Sequence, residues 1–406
     1  MSSVPYVKLK ELCDVNQGLQ IPISKRFRED GENRYFYITV QFLKDSHLEK
    51  FYIENPSKSS ICHEDDIIVV RTGSTGQIIT GVKGCFHNNF FKINYDKTKV
   101  HGRFLYYCLL TKEKQLEMKR RAGITTIPDL NHFMFLDMAI PYPDYSYQLE
   151  ASNILDLINQ KIEINNKINA QLEAMAKLIY DYWFVQFDFP DANGKPYKSS
   201  GGKMVYNEEL KREIPEGWDV ESLDYFVELI ANTVSPTQMC SKTLYIGLEH
   251  IPRKTIIMAN WVSADKVNSN KIAFKKMDIL FGKIRPYFHK VGVSFIDGVT
   301  STDTIVLRAK QPEYHGLALQ TVFTERFVAT ASNSSTGSKM PRADWEVLKS
   351  YKVPAPSVKV LCSYQSMFDN FLDEMENNIT QNRELIELRD WVLPMLMNGQ
   401  VTIKEP

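Results

Sequence analysis

The sequence predicts an α+β protein written as a tandem duplication, two compact domains that each run into a long amphipathic helix. Three observations predict it. Residues recur at an offset near 213: Leu9 and Leu12 map onto Leu223 and Phe226, Asp66-Ile67 onto Asp278-Ile279, Pro141 and Pro143 onto Pro354 and Pro356, and Leu172 and Met175 onto Leu385 and Leu388. That period far exceeds the roughly 20–50 residues of solenoid repeats, so the repeating unit is a whole domain plus a helix. Each copy opens with short β-like runs punctuated by Gly- and Asn-rich turns. Each copy closes on a long stretch of helical apolar spacing.

Taken in order, residues 1–147 form the first domain, with strand candidates at Arg34–Val40, Asp66–Arg71 and Phe86–Ile93 and a helix around Phe104–Arg121. Residues 148–187 form the first long helix, free of Pro and Gly from Gln148 to about Trp183, with Ile154, Ile158, Ile168, Leu172, Met175 and Ile179 at three- and four-residue steps. Lys161 and Asn165 interrupt that seam. Residues 188–217 form a linker whose Lys198-Ser199-Ser200-Gly201-Gly202-Lys203 reads as a flexible loop. Residues 218–360 form the second domain, with strand candidates at Ile279–Ile284, Val291–Ile296 and Thr304–Arg308 and a helix near Leu317–Ala331. Residues 361–400 form the second long helix, with Phe368, Leu372, Met375, Ile379, Leu385 and Leu388 on its seam and Asn382 as the polar interruption; 401–406 are a tail. One amphipathic helix usually covers its own domain. Two matching ones favour a coiled coil with each other, in which polar seam residues set register. Thirty-six helical residues span about 54 Å. Pro394, where the first copy has Asp181, is expected to break or kink the second helix. The segment after the second Pro-x-Pro is about four residues longer up to Gln365 than the first is to Gln148, and is expected to be a longer loop.

The formal net charge of zero conceals a segregation. Residues 1–147 carry 20 basic against 17 acidic side chains and 218–360 carry 18 against 13, whereas 148–190 carry 3 against 6 and 361–406 carry 3 against 8. Basic domains favour a polyanion, and acidic helices suit protein contacts better than a phosphate backbone. Chance variation of a few charges would give a similar pattern in one copy, less readily in both.

Two polar segments recur at matched positions. The first is a strand ending in a basic, Gly-bearing turn: Arg71-Thr72-Gly73-Ser74 in copy one, and Gly282-Lys283-Ile284-Arg285-Pro286-Tyr287 in copy two. The second is a loop rich in hydroxyls and cations, with Arg121, Thr125 and Thr126 in copy one and Ser338, Lys339 and Arg342 in copy two. These are the residue types that bind phosphates and base edges. Arg71, Thr72, Ser74, Arg121, Thr125, Thr126, Lys283, Arg285, Tyr287, Ser338, Lys339 and Arg342 are therefore the candidate DNA contacts, with Arg71, Lys283 and Arg285 leading. Hairpin punctuation or a solvated loop would use similar residues. The Pro-x-Pro exits, Pro141/Pro143 and Pro354/Pro356, read as extended lead-ins to the helices.

Catalytic signals are thin. The sequence carries no P-loop, no convincing dinucleotide fingerprint and no HExxH or Cys/His metal spacing. Asn55-Pro56-Ser57 does not reproduce the Asn/Asp-Pro-Pro-aromatic signature of amino-methyltransferases, and Asp65-Asp66 and Glu208-Glu209 read as solvated pairs. Six scattered cysteines, no apolar run near 20 residues and no signal-like N-terminus point to a reducing cytoplasm, no membrane and no metal site.

The duplicated layout, the segment Asp278–Tyr287, both Pro-x-Pro exits, Ile214-Pro215-Glu216-Gly217-Trp218 and the closing stretch Leu385–Gly399 together resemble the specificity subunit of type I restriction-modification systems. The resemblance covers nearly the whole chain. It implies two target-recognition domains, each reading half of a split double-stranded DNA site, with the two helices as an antiparallel coiled coil between them. It implies two modification subunits as partners, adenine methyltransferases using S-adenosylmethionine, and restriction/translocase subunits using ATP and Mg. No cofactor and no catalysis are expected in this chain. The alternative is a coiled-coil scaffold or adaptor that reads no DNA.

Overall fold

The structure is a computed structural model that describes residues 4–44, 49–123, 128–337 and 339–401. The chain divides into two compact units, Met1–Ile162 with Arg383–Pro406, and Glu163–Asn382. Each unit holds one α+β domain and one end of each long helix.

In the first unit, one four-stranded sheet runs Cys13–Gln17, Phe90–Tyr95, Ile67–Val70, Ile78–Ile79, and a second runs Tyr52–Glu54, Arg34–Ile38, Gly84–Phe86, Ile61–Cys62. Ile67–Val70 is buried along its whole length, because both faces are covered. Its alternate residues Ile67 and Val69 join one apolar cluster while Ile68 and Val70 join another. Burying each such side chain stabilises by about 1.5–3 kcal/mol. The helix expected over Phe104–Arg121 is two helices, Gly102–Leu110 and Lys112–Ala122. Thr111 ends the first and caps the second, its hydroxyl accepting from Lys114 N. Tyr6–Lys8 pairs antiparallel with Ala139–Pro141, Tyr6 opposite Pro141. Both are edge strands, where a proline costs no ladder bond.

The second unit repeats this plan with wider sheets. One runs Val227–Ile230, Thr304–Ala309, Ile279–Gly282, Val291–Ser294, Ile257–Met258, and the other Thr233–Val234, Lys271–Phe274, Gly298–Thr300, Leu244–Ile246, Val262–Ser263. The helix expected near Leu317–Ala331 is again two, His315–Phe323 and Glu325–Asn333, divided at Thr324, which caps the second. Asp219–Ser222 pairs with Lys352–Ala355, placing Val220 opposite Pro354 as Tyr6 stands opposite Pro141. The linker is ordered, against expectation. Met204–Asn207 and Arg212–Pro215 form a hairpin, Asp188 accepts from Ser199 N at 2.7 Å, and Phe189 stacks on Trp218 with ring centroids 4.9 Å apart. Those aromatic contacts supply the burial that a Ser/Gly count does not reveal.

The long helices span Tyr145–Tyr180 and Val358–Met397 and pack antiparallel. In the second unit Asn165 lies against Asn382 and Asn169 against Asn378. In the first unit Arg389 donates to Asn159 at 3.1 Å. Of the expected seam, Phe368, Leu372, Met375 and Ile379 are buried, and Ile154, Ile158, Ile168, Leu172, Ile179 and Leu385 are half-buried. Met175 and Leu388 are exposed at 49% and 44%; Ala151, Leu155 and Ala176 take the buried positions instead. Pro394 does not break the second helix. Asn398 N still bonds Pro394 O at 3.0 Å, Leu396 and Met397 are buried, and Gly399 (φ 63°) ends the helix. The four extra residues before Gln365 are not loop either. Each long helix starts two residues after its Pro-x-Pro, so the insertion is about one helical turn.

Candidate nucleic-acid interface

In both copies the two polar segments, distant in sequence, are brought together by backbone hydrogen bonds. In copy two the strand Ile279–Gly282 continues into Lys283, whose N donates to Asp303 O at 2.8 Å and whose O accepts from Ala343 N at 2.9 Å. Arg285 N donates to Pro341 O at 2.8 Å, and Arg342 bridges both Ile284 and Thr336. Arg285 is left-handed (φ 48°), a conformation costing a non-glycine about 1 kcal/mol. It opens the short turn Pro286–Phe288, which ends on left-handed His289. The Arg285 guanidinium donates to Lys339 O at 3.5 Å and lies 5.9 Å from the Phe288 ring centroid, and its buried Nε has no hydrogen-bond partner among the described residues. Arg253 stacks its guanidinium 4.1 Å from the Phe288 ring. The ammonium groups of Lys283 and Lys339 make no ion pair or hydrogen bond among the described residues, and Tyr287 is exposed. Arg342 pairs with Asp303 at 3.2 Å.

Copy one closes the same way. Arg71 N donates to Asn89 O at 2.7 Å, Leu130 N donates to Arg71 O at 3.1 Å, and Thr72 bridges Asp129. The turn uses Gly73 (φ 89°) and Gly76 (φ 87°), and the buried Thr75 hydroxyl bonds Arg71 O and Pro128 O at 3.0 and 3.1 Å. The charges differ. The Arg71 guanidinium grips Asp129 with two bonds of 2.5 and 2.8 Å. The bonds to Arg71 hold the Asp129 carboxyl below its ordinary value. Arg71 is thus already committed, and Arg121 is held by Glu117 at 2.9 Å and Asp137 at 3.4 Å. Ser74 and Lys119 line an open cleft of about 670 Å³ with Gly123 and Pro128. Thr125, Thr126 and Ser338 lie outside the described residues.

Position 129 of copy one is position 342 of copy two, and it changes sign, Asp to Arg. Each copy therefore balances one ion pair across the joint but leaves different surplus cations, half-buried Lys283 and Arg285 with exposed Lys339 in copy two, and exposed Lys119 and Arg120 in copy one. Lys119 and Arg120 stand in the same basic run as Arg121, so their candidacy was visible in the sequence. Arg253 was not, since its stacking partner Phe288 is 35 positions away. Cations without carboxylate partners, beside hydroxyls and backbone N–H groups, form a surface for phosphates and base edges. The described residues contain no His/Cys/Asp/Glu cluster able to hold a metal and no helix long and apolar enough to cross a membrane.

Comparison with known proteins gives the same direction. Residues 1–174 match the family model of the type I restriction modification DNA specificity domain. The chain is 24% identical over 357 residues to the specificity subunit of the type I restriction enzyme MjaIX from Methanocaldococcus jannaschii, covering 84% of this chain and 78% of that protein. It is 23% identical over 397 residues to the MjaVIII specificity subunit of the same organism, covering 93% and 88%. The chain is thus similar, in its first domain and along most of its length, to type I specificity subunits. Its fold is also similar to that of the type I restriction-modification S subunit from M. genitalium, with a TM-score of 0.54 at 16% identity over 100% of this chain and 98% of that one.

Proposed function

We propose that this chain is a non-catalytic DNA-reading subunit that recognises a bipartite, asymmetric duplex site, one half-site per domain. The observation that carries this reading is the joint of strand turn and loop, built from matched backbone bonds in both copies but furnished with opposite charge at Asp129 and Arg342. A shared frame with divergent contents suits two different half-sites. Lys283 and Arg285 lead as contacts in copy two, with Lys339, Arg342 and Tyr287 beside them. In copy one Ser74, Thr72, Lys119 and Arg120 lead, and Arg71 serves through its clamp on Asp129. The partners are two adenine methyltransferase subunits that bring S-adenosylmethionine, and restriction/translocase subunits that bring ATP and Mg, in the cytoplasm. The test is methylated-adenine mapping in cells with and without this chain, paired with salt-dependent duplex binding by the reconstituted complex. Methylation at one split sequence that disappears with the chain supports the reading. Methylation that persists unchanged refutes it.

A further inference from the structure

A cleft recurs in the two units at equivalent positions. In the first unit it lies between Leu110, Thr111, Pro141, Leu393 and Met397; in the second, between Phe323, Thr324, Pro354, Tyr180 and Phe184. These residues correspond one to one at an offset of 213, so the duplication created two apolar clefts on one plan. Their polar content has since diverged.

The first cleft is electrically closed. Its lining offers Lys112 and Lys114 against Glu113 and Asp390, and Lys114 bonds both Glu113 and Glu117. Tyr107, beside it in sequence, has its hydroxyl satisfied by Asp156 and Asn159. The second cleft, of about 290 Å³, is left open. Four cations line it, Lys177, Arg212, Arg326 and Lys352, against two carboxylates, Asp181 and Glu325. Asp181 pairs with Lys177 within the lining, Glu325 with Lys254, and Lys352 with Glu209, which leaves the two arginines. Arg212 donates to Val185 O at 2.8 Å, and neither it nor Arg326 has a carboxylate partner among the described residues. Burial, then the positive charge of Arg326, holds Arg212 below its ordinary value. Gln320, the counterpart of Tyr107, also lines this cleft. It is 2% exposed, and its amide Nε2 has no acceptor among the described residues. A buried donor without a partner costs about 1–3 kcal/mol.

We infer that the second cleft is a binding site for a small aromatic oxyanion, a carboxylate or phosphate monoester. Its charged group would lie against the Arg212 and Arg326 guanidiniums and accept from Gln320, and its ring against Phe184 and Tyr351. A bidentate guanidinium is the side chain best matched to such a group.

The test is calorimetric titration of the full chain with inorganic phosphate, phenyl phosphate and benzoate. One saturable site per chain is expected, with an aromatic oxyanion at least about tenfold tighter than inorganic phosphate; which of the two aromatics binds more tightly identifies the headgroup. Arg326→Ala should weaken binding about tenfold, and Gln320→Leu several-fold while raising the Tm of the empty chain. Lys112→Ala, in the first cleft, should leave binding unchanged. Absence of saturable binding at millimolar concentration, indifference to Arg326→Ala, or displacement of the probe by a short duplex would each overturn the assignment. The last would place the guanidiniums on the DNA-binding surface instead.

Discussion

Asp66 and Asp278 begin the same strand in the two copies, yet they are held very differently. Asp278 is buried, receives two 2.8 Å bonds from Arg308 and accepts from Lys275 N at 2.7 Å. Asp66 is more exposed, accepts from His63 N at 2.9 Å and meets Lys92 only at 3.5 Å. The same contrast reverses at the strand's other end, where copy one clamps Arg71 on Asp129 and copy two leaves Lys283 and Arg285 without carboxylates. A duplicated frame can thus move its strongest ion pair from one end of a strand to the other. The end left unclamped has cations available for a partner.

The sharpest way to break this contrast is at the buried aspartate. Asp278→Ala leaves Arg308 facing a buried site without its counter-ion and should cost about 3 kcal/mol. Asp66→Ala should cost about 1 kcal/mol or less. Denaturant unfolding measures both, and equal losses would remove the distinction. At the other end, Arg285→Ala should weaken duplex binding by the reconstituted complex by about 1–3 kcal/mol, confined to one half-site. Arg71→Ala should do less, because Arg71 is spent on Asp129. Fluorescence anisotropy on duplexes altered in one half at a time separates the two, and identical losses would contradict the assignment of free and committed arginines.

The helix pairing offers a third comparison. In the second unit Asn378 donates to Asn169 at 2.9 Å, and Asn165 reaches Gln381 and Asn382 at 2.7 and 2.9 Å. Asn378→Leu alone should destabilise by about 1 kcal/mol by stranding Asn169, whereas Asn169→Leu with Asn378→Leu should restore or exceed the original stability. The double variant should also lose uniqueness of register, read by disulfide trapping between cysteines placed on the facing helices. A double variant as unstable as the single would show that these amides do more than satisfy one another.

The smallest effect is the acid sensitivity of the Arg71–Asp129 clamp. The Asp129 carboxyl is held below its ordinary value, so the unfolded chain binds the proton more readily. The clamp's contribution is present above about pH 4 and fades as pH falls through the lowered folded value. Both side chains are partly exposed, so it should amount to less than about 1 kcal/mol. Asp129→Asn should flatten the acid limb of first-unit stability, followed by tryptophan-free probes such as amide exchange. An unaltered limb would assign the acid sensitivity to other carboxylates.

Sequence made the scaffold legible and left the charges obscure. The offset of 213, the Pro-x-Pro exits and the burial of Phe368, Leu372, Met375 and Ile379 follow from periodicity, a local property. The first helix was harder. Its buried positions include Gln148, Ala151, Ser152, Asn165, Asn169 and Ala176 beside Leu155, and neither an amide, a hydroxyl nor a methyl marks a seam on an apolar scale. Arg71 looked free because Asp129 stands 58 residues away. Side-chain pairing across a sheet joint is set by tertiary contacts, so the commitment of Arg71 to Asp129 could not be read from local sequence.

The pairing of each domain's first strand with its last has a further consequence. Tyr6–Lys8 meets Ala139–Pro141, and Asp219–Ser222 meets Lys352–Ala355, so the chain enters and leaves each domain across one strand spacing, about 4.8 Å. Topologically each domain is a bead closed at its neck. Everything inside the neck can lengthen, shorten or be replaced without asking the helices to move their ends, provided the two strands still meet.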